Sequence, residues 1–219
     1  MTQLTESEPE VYQGQFGQFT ITQSDRTGVL IYRTGLMVAA LSFAAGSLLV
    51  LLLGNTPATL NALTPLYACF SLGLGVSLVT IHIYLASLHR LLQIFWLIGG
   101  ITAGVLALQN SEALALTVYN HPVTLLGAGF TFAALTGIFF KEAFCFNRFE
   151  TKLLTPLVPV LLLGHLTGVL PVPVEKTLLA GWAILFLVFA LRKAFQAIPP
   201  DIGDKSVFDY LHQQRSVEA

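Results

Sequence analysis

The stretch GLMVAALSFAAGSLLVLLL, from Gly35 to Leu53, runs for nineteen residues without a charged side chain. A helix rises about 1.5 Å per residue, so about 20 apolar residues cross the hydrocarbon core of a bilayer. Ser24 or Asp25 is a suitable N-cap for a longer helix that ends in this stretch. The stretch therefore predicts a first transmembrane helix.

The composition of the whole chain also predicts a membrane protein. Of its 219 residues, 54% are hydrophobic and only 11% are charged, whereas soluble domains carry about a quarter charged residues. The formal net charge is −1, which provides no electrostatic basis for binding nucleic acid. We therefore expect contact with the lipid bilayer and no contact with nucleic acid.

Five further apolar runs follow the first. They cover residues 64–88, 91–108, 123–140, 153–170 and 177–191. Only His89 and Arg90 separate the second run from the third, so a tight hairpin is required near Arg90. Pro122 suits the first turn of the fourth span, and residues 141–152 form a charged, solvated loop. The pattern predicts an all-α integral membrane protein with a six-helix transmembrane bundle.

The basic residues predict the orientation of this bundle. If both termini are cytoplasmic (or stromal, in a plastid), only Lys176 of the eleven basic residues lies on the opposite side. The other ten are Arg26, Arg33, Arg90, Lys141, Arg148, Lys152, Arg192, Lys193, Lys205 and Arg215. Such a bias is typical of cytoplasmic connections. We predict N-in/C-in topology: a cytoplasmic segment 1–33, a six-span membrane domain 34–195 and a cytoplasmic tail 196–219.

The two tails carry patterns of their own. YQGQFGQFTIT alternates apolar and polar residues around two glycines, which predicts a small extended or hairpin element. DKSVFDYLHQQ places Val207, Phe208 and Leu211 on one helical face and predicts a short amphipathic helix, capped by Asp204 or Ser206. This helix would dock on the membrane surface, on the protein's own loops or on a partner.

Few polar groups are expected inside the membrane. No Asp, Glu, Lys or Arg lies clearly within a predicted span, which argues against a proton- or sodium-coupled pump. His82 and His165 are the two intramembrane histidines and lie in opposite leaflets, so they cannot share a metal ion. Each is a weak candidate ligand for the magnesium of a chlorophyll; hydrogen bonding across helices is the alternative. His82 and His89 are expected on one helix, and no metal site is predicted.

Enzyme signatures are missing from the sequence. It contains no HExxH, no GxSxG, no phosphate loop and no pair of carboxylates within a span, so we expect no enzyme and no catalytic residue. Pro156 and Pro159 interrupt the fifth span. They predict either a simple kink or a half-helix binding site of the kind found in transporters.

Motifs near both ends carry a resemblance to a known family. VYQGQFGQFTIT and DRTGVLIYR before the first span, and RKAFQAIPPDIGDKSVFDYL after the last, resemble a family of uncharacterised integral membrane proteins of cyanobacteria and chloroplast-bearing organisms. The resemblance implies a thylakoid or plasma membrane location. It also implies a role in the biogenesis of a photosynthetic complex, or an auxiliary association with one. This implication rests only on the organisms in which the family is found.

Two function classes remain open at this point. The first is a non-enzymatic scaffold or assembly factor, and the second is a small-solute transporter or channel that uses the fifth span. For the scaffold, the candidate contact residues for membrane-complex subunits lie in the tails and the start of the first helix: Arg26, Arg33, Asp204 and Phe208. We expect both terminal motifs to pack into one cap, where Arg26 and Arg33 meet Asp201, Asp204 or Asp209. The alternative is that these arginines snorkel to lipid headgroups.

Overall fold

A computed structural model describes residues 10–218 of the chain, without the side chains of residues 212 and 215–218. The start of the predicted segment 1–33 and the end of the predicted tail 196–219 therefore lie outside the described residues. Within that range there are two strands and ten helices. They are β1 (Val11–Gln13), β2 (Gln18–Thr20), α1 (Gln23–Leu53), α2 (Pro57–Thr80), α3 (Ala86–Gln109), α4 (Leu114–Asn120), α5 (Leu125–Ala128), α6 (Phe130–Phe146), α7 (Phe149–Leu166), α8 (Val172–Ala194), α9 (Pro199–Ile202) and α10 (Lys205–Glu218), with a 3-10 turn at Pro122–Thr124.

The long helices confirm the predicted fold class. Among the described residues, α1, α2, α3, α7 and α8 are each long and apolar enough to cross a membrane. The segment Pro122–Ala128 and helix α6 are together also long and apolar enough to cross a membrane, although the chain bends by 59° between them at Gly129. The structure is therefore an all-α bundle with five membrane-crossing helices, or six when the bent pair is one span.

Helix α1 begins two or three residues before its predicted start. Thr22 is the N-cap, not Ser24 or Asp25. The Thr22 hydroxyl accepts a hydrogen bond from the Asp25 backbone N–H at 3.2 Å, and the Asp25 carboxylate accepts from the Thr22 N–H at 2.8 Å. This capping box satisfies two donors that have no intrahelical partner.

Small residues set the distance between α1 and α2. A Cβ atom on Gly35 would lie 2.6 Å from the carbonyl oxygen of Gly73, and the reverse substitution would meet Gly35 equally closely. Ser77 donates its hydroxyl to the Tyr32 carbonyl at 2.9 Å across the same interface. The small-residue strip of α2, which consists of Ser71, Gly73, Gly75 and Ser77, therefore serves packing within the bundle.

Aromatic rings fill the centre of the bundle. Its fully buried side chains include Phe70, Phe139, Trp182, Phe186 and Phe189. Phe43 and Phe132 pack against this group from α1 and α6. Offset and edge-to-face contacts between such rings add to the free energy of burial.

The turn between α2 and α3 lies earlier than predicted. Helix α2 ends at Thr80 and α3 begins at Ala86, so Arg90 lies inside α3 and the predicted hairpin at Arg90 is wrong. The chain turns through residues 81–85, where Ile81 and Ile83 are buried. Hydropathy gives no sign of this break, because the connecting residues are as apolar as the helices.

Side chains of α3 compensate for the break in α2. The carbonyl oxygen of Leu78 contacts His89 Nε2 at 2.5 Å and accepts from Gln93 Nε2 at 3.2 Å. A carbonyl in the last turn of a helix has no intrahelical donor, so these side chains replace it. His82 lies in the connection and His89 in α3, so the prediction that they share one helix is wrong.

Two predicted connections contain helix. Helices α6 and α7 extend into the predicted charged loop 141–152 and leave only Asn147 and Arg148 between them. Asn147 adopts a left-handed conformation, which suits a helix C-terminus. The predicted connection before Pro122 contains the short helix α4.

Helix α7 continues through both of its prolines. Pro156 and Pro159 lie inside an unbroken helix from Phe149 to Leu166. The alternative of a half-helix is therefore wrong at the level of the backbone, whereas a kink at these prolines stays a prediction.

The bundle has two distinct ends. The predicted N-terminal hairpin is observed as β1 paired antiparallel with β2, and the predicted C-terminal helix is observed as α10. Both lie at one end with the α2–α3 and α6–α7 connections, which we call the terminal end. The far end carries the α1–α2 and α7–α8 connections.

Single-cysteine labelling tests the predicted N-in/C-in orientation. In a background without the exposed native Cys69 and Cys145, cysteines replace Ser111, Val174 or Gln214, which are all exposed. A membrane-impermeant maleimide should label the Gln214 site only from the cytoplasmic side. The other two sites should label only from the opposite side, because basic residues stay cytoplasmic. Any other pattern overturns the topology.

Candidate functional site

Four charged side chains from four helices meet inside the terminal end and form what we call the charge cluster. They are Arg33 of α1, Glu142 of α6, Lys193 of α8 and Asp201 of α9. Glu142 and Lys193 are 0% exposed, and Arg33 and Asp201 are 7% and 5% exposed. Charges at such depth are tolerated only when they are paired. Here the two carboxylates face Arg33 and Lys193, and Lys141 also contacts Glu142 Oε1 at 2.9 Å.

Lys193 is the centre of the charge cluster. Its Nζ donates to Glu142 Oε2 and to Asp201 Oδ1, each at 2.5 Å. The ammonium group also lies 4.0 Å from the centroid of the Phe146 ring, a cation–π contact. Tyr32 donates its hydroxyl to the second oxygen of Glu142 at 3.3 Å. Lys193 thus joins α8 to both α6 and the C-terminal tail.

Arg33 holds the chain that leaves α8. Its Nε and Nη2 donate to Asp201 Oδ2 at 2.9 and 2.7 Å. Nη1 and Nη2 also donate to the carbonyl oxygens of Gln196 and Ala197, at 2.6 and 2.9 Å. These carbonyls follow the last residue of α8 and have no helical partner. One planar guanidinium therefore fixes the tail against α1.

A second ion pair extends the charge cluster towards solvent. Glu150, in the first turn of α7, accepts from Arg192 at 2.8 Å and from Arg148 at 3.4 Å. Arg148 also donates to the side-chain oxygen of Gln196. The α6–α7 connection is thereby tied to the end of α8.

The sequence predicts only part of the charge cluster. The expected contact between Arg33 and an aspartate of the tail is observed as the Arg33–Asp201 ion pair. The expectation that Glu142 lies in a solvated loop is wrong. Lys193 lies at the end of α8 as expected, yet it is fully buried while the side chain of its neighbour Arg192 is 57% exposed. No local pattern separates the two, because the partner Glu142 is 51 residues away.

Replacing Lys193 tests how much the charge cluster contributes to the stability of the fold. Lys193→Met removes the cation that Glu142 and Asp201 share, while Glu142 keeps Lys141 and Asp201 keeps Arg33. We therefore expect a loss of about 3 kcal/mol in the free energy of unfolding, the lower end for a broken buried ion pair. Lys152→Met, at an exposed position of α7, is the matched control and should leave stability unchanged. Thermal unfolding of both variants in detergent measures the difference. Equal midpoints for the two variants would contradict a stabilising role.

The N-terminal hairpin docks on the C-terminal tail. The backbone N–H of Gln15 donates to Asp204 Oδ2 at 2.6 Å, and that of Phe16 donates to the Ser206 hydroxyl at 3.0 Å. Asp204 also accepts from the Ser206 N–H at 2.9 Å, so Asp204 is the cap of α10. Desolvation raises the pKa of the Asp204 carboxyl, but the hydrogen bonds from Ser206 and Gln15 outweigh it and hold that pKa below its ordinary value.

The tail also contacts the α2–α3 connection. Phe208 packs against the ring of Tyr84 with centroids 4.8 Å apart, and the Tyr84 hydroxyl accepts from the Asp204 N–H at 2.5 Å. Gly203 has a φ of +73°, and a side chain there would clash with Tyr84. We call the assembly of residues 10–22, 81–85 and 196–218 the polar cap.

The predicted partner-contact residues mostly serve the polar cap itself. Arg33, Asp204 and Phe208 make the internal contacts described above. Arg26 interacts with Tyr12 of the hairpin, and the described residues include no ion pair between Arg26 and an aspartate. Lys205 instead provides the second ion pair between tail and first helix, with Asp25 at 2.8 Å. The predicted packing of both terminal motifs is observed, and the role of these residues towards partners stays a prediction.

Two exposed aromatic rings mark the outer surface of the polar cap. Phe16 and Tyr210 stack with centroids 4.0 Å apart and planes 3° apart, and they are 46% and 36% exposed. Val11, 58% exposed, is also part of the hairpin. Phe16 occupies an apolar position of the alternating YQGQF pattern, which was the only sequence signal for this pair.

Replacing Asp204 tests the attachment of the hairpin. Asp204→Ala removes the acceptor for the Gln15 N–H, so we expect the amides of residues 14–17 to exchange hydrogen about three- to tenfold faster. Asp209→Ala, at an exposed position of the same tail, is the control. Hydrogen exchange measured by mass spectrometry compares both variants with the wild type. Unchanged exchange in Asp204→Ala would show that the hairpin is held by other contacts.

The same attachment should depend on pH. A carboxyl whose pKa is lowered by folding stabilises the fold above its ordinary pKa, and that stabilisation is lost as pH falls through the lowered value. We therefore expect the exchange protection of Gln15 to persist in mild acid and to fall only below the ordinary pKa of an aspartate, about 3.9. Asp204→Ala should not show this acid transition.

The two candidate pigment ligands lie at opposite ends of the bundle. His82 is half-buried in the α2–α3 connection beside Gly28 of α1. His165 lies at the end of α7, where Nδ1 contacts Glu175 Oε1 at 2.7 Å and Nε2 contacts the Tyr119 carbonyl at 3.1 Å. Both ring nitrogens of His165 are therefore engaged in contacts with neighbouring helices. A pigment on His82 stays a prediction.

A cavity of about 570 Å³ lies at the far end, next to His165. Its walls are contributed mainly by α1, α2, α4, α7 and α8, and most of its lining residues are apolar or aromatic. Trp182 and Phe43 line the cavity towards the middle of the bundle. The charge cluster and this cavity thus occupy opposite ends of the molecule.

The fold and the distribution of polar groups define a polytopic α-helical membrane protein with a polar cap at one end. Residues 76–210, more than half of the chain, match the sequence profile of an uncharacterised integral membrane protein family, DUF2301. The chain belongs to this family. The match includes Glu142, Lys193 and Asp201. No protein with a curated function and no solved structure matches the chain.

Proposed function

We propose that this integral membrane protein is a non-enzymatic scaffold or assembly factor whose polar cap binds subunits of a membrane complex. The observation that carries the proposal is the exposed Phe16–Tyr210 stack on a cap that is fixed by the chain's own contacts. Aromatic side chains are enriched in protein interfaces, and a surface that is already ordered loses little entropy on binding.

The charges of the terminal end also favour a protein partner. Ten basic and ten acidic residues are assigned to the side of the termini. Two of each sign are buried in the charge cluster, so the remaining charges of this side are also balanced. A neutral face of mixed charge suits specific contacts with protein better than general attraction to anionic lipid.

The interior of the bundle favours a scaffold over the alternative, a transporter or channel. A transporter would need a polar, water-accessible cavity near the midplane, lined by Pro159, His165 and the small residues of α2. The cavity beside His165 is largely apolar, and neither Pro159 nor the small-residue strip of α2 is among its described lining residues. Aromatic rings occupy the space between the two ends.

The membrane and the partner are inferred from the resemblance of the terminal motifs. These motifs resemble those of proteins from cyanobacteria and chloroplast-bearing organisms. The resemblance supports a location in a thylakoid or plasma membrane. It also supports subunits of a photosynthetic complex as the partners. The absence of catalytic signatures from the sequence supports the non-enzymatic role.

Co-purification tests the scaffold proposal. The tagged full-length protein is isolated in a gentle detergent, and its partners are quantified by mass spectrometry. The double variant Phe16→Ser, Tyr210→Ser should lower partner yield at least tenfold, because exposed aromatic anchors carry much of an interface's binding energy. Val123→Ser, at a position of the far end that is 66% exposed, is the control and should leave the yield unchanged.

A truncation after Asp204 extends this test. It removes α10 but keeps Asp201, so the charge cluster stays complete and membrane insertion is retained. The truncated chain should also lose its partners. Equal partner yields for wild type, double variant and truncated chain would overturn the proposed role of the polar cap.

A further inference from the structure

His165 faces two hydrogen-bond acceptors at the far end of the bundle. Its Nδ1 lies 2.7 Å from Glu175 Oε1 of α8, and its Nε2 lies 3.1 Å from the Tyr119 carbonyl oxygen at the end of α4. A backbone carbonyl and an ionised carboxylate only accept hydrogen bonds, and a neutral imidazole has a single N–H to donate. A neutral His165 beside an ionised Glu175 therefore satisfies one acceptor and turns a lone pair towards the other.

One additional proton completes both contacts. On His165 it gives an imidazolium, which donates from Nδ1 and from Nε2. On Glu175 it gives a carboxyl group that donates to Nδ1, while Nε2 donates to the carbonyl oxygen. The two arrangements hold the same number of protons and have the same net charge. The observed contacts thus fit a His165–Glu175 pair that has taken up one proton.

The groups around the pair favour this proton on His165. The Tyr119 hydroxyl donates to the second oxygen of Glu175 at 3.2 Å, which stabilises the carboxylate. His165 lies in the last turn of α7, where the carbonyl end of the helix favours a positive charge. The side chains of Lys176 in α8 and His121 after α4 form no hydrogen bond or ion pair with His165 in the described part of the chain. Within the same part, the other elements packed against α7 bring no charged or titratable side chain to this end.

The pair fastens the end of α4 to the rest of the bundle. Leu114 and Thr117 are the buried residues of this seven-residue helix. Its last turn is held at Tyr119, whose carbonyl oxygen, hydroxyl and ring all contact His165 or Glu175. The side chains of His165 and Glu175 are 18% and 12% exposed, so protons from the solution at the far end reach them. Because α4 also lines the far-end cavity, its attachment fixes one wall of that cavity.

We propose that the His165–Glu175 pair is a proton-binding site, and that its proton holds α4 against α7 and α8. A hydrogen bond is lost when the proton leaves, because one of the two acceptors then has no donor. Histidine side chains change their charge between about pH 5 and 8. The attachment of α4 is therefore complete on the acidic side of this range and weakens as the pH rises through it. The far end thereby responds to the pH of the solution that it faces, whatever the polar cap binds.

Hydrogen exchange at two pH values tests this proposal on the full-length protein in lipid nanodiscs. The amides of residues 114–121 are measured by mass spectrometry at about pH 5.5 and at about pH 8, near the two limits of the histidine range. Each rate is divided by the exchange rate of an unstructured peptide at the same pH. After this correction, α4 should exchange about three- to tenfold faster at the higher pH, the effect of one lost hydrogen bond.

Glu175→Gln distinguishes a proton-binding site from a contact that is only structural. The amide NH2 donates to Nδ1 of a neutral His165, and the amide oxygen accepts from the Tyr119 hydroxyl, so the contacts are complete without an additional proton. In this variant α4 should be protected equally at both pH values. His121→Gln removes the exposed histidine that follows α4. It is the matched control and should keep the wild-type difference.

Equal corrected rates at the two pH values in the wild type would overturn the proposal. It would also fail if Glu175→Gln kept the wild-type difference, or if His121→Gln lost it, because another group would then bind the proton. If Glu175→Gln does not fold, as judged by gel filtration, His165→Gln takes its place. That variant has no imidazole at this position, so α4 should again exchange independently of pH, and a wild-type difference in it would contradict the proposal.

Discussion

The pairing of Lys193 with Glu142 and Asp201 is the interaction on which the arrangement of the terminal end depends. An ammonium group with no exposed surface stays charged inside a protein only when carboxylates and hydrogen bonds replace its water. This requirement brings the end of α8, the end of α6 and the start of the tail to one point. Arg33 adds α1, which lies 168 residues from its partner Asp201 in the chain.

The polar cap follows from that anchor. Once Asp201 is fixed, the turn at Gly203 places Asp204 where it receives both the Tyr84 contact and the Gln15 N–H. A hairpin, an interhelical connection and a tail that are remote in sequence thereby become one surface. Because the surface is ordered by internal contacts, its exposed rings, Phe16 and Tyr210, are held in a fixed stack.

The two ends of the bundle differ in the chemistry of their side chains. The terminal end concentrates charge in a tightly packed cluster, whereas the far end contains a largely apolar cavity beside the contact between His165 and Glu175. Phe139, Phe186 and Phe189 fill the space between them. The polar cap and the cavity are therefore separated by the packed middle of the bundle.

The sequence by itself determined the fold class, the presence of a bundle of long apolar helices, the N-terminal hairpin and the C-terminal helix. These follow from local hydropathy and spacing, which residues such as Gly35 to Leu53 display directly. It also indicated that Arg33 meets an aspartate of the tail. Only the tertiary structure decided the break at residues 81–85, because side chains of α3 complete the end of α2. Likewise, burial of Glu142 and Lys193 depends on partners distant in the chain, which no local pattern encodes.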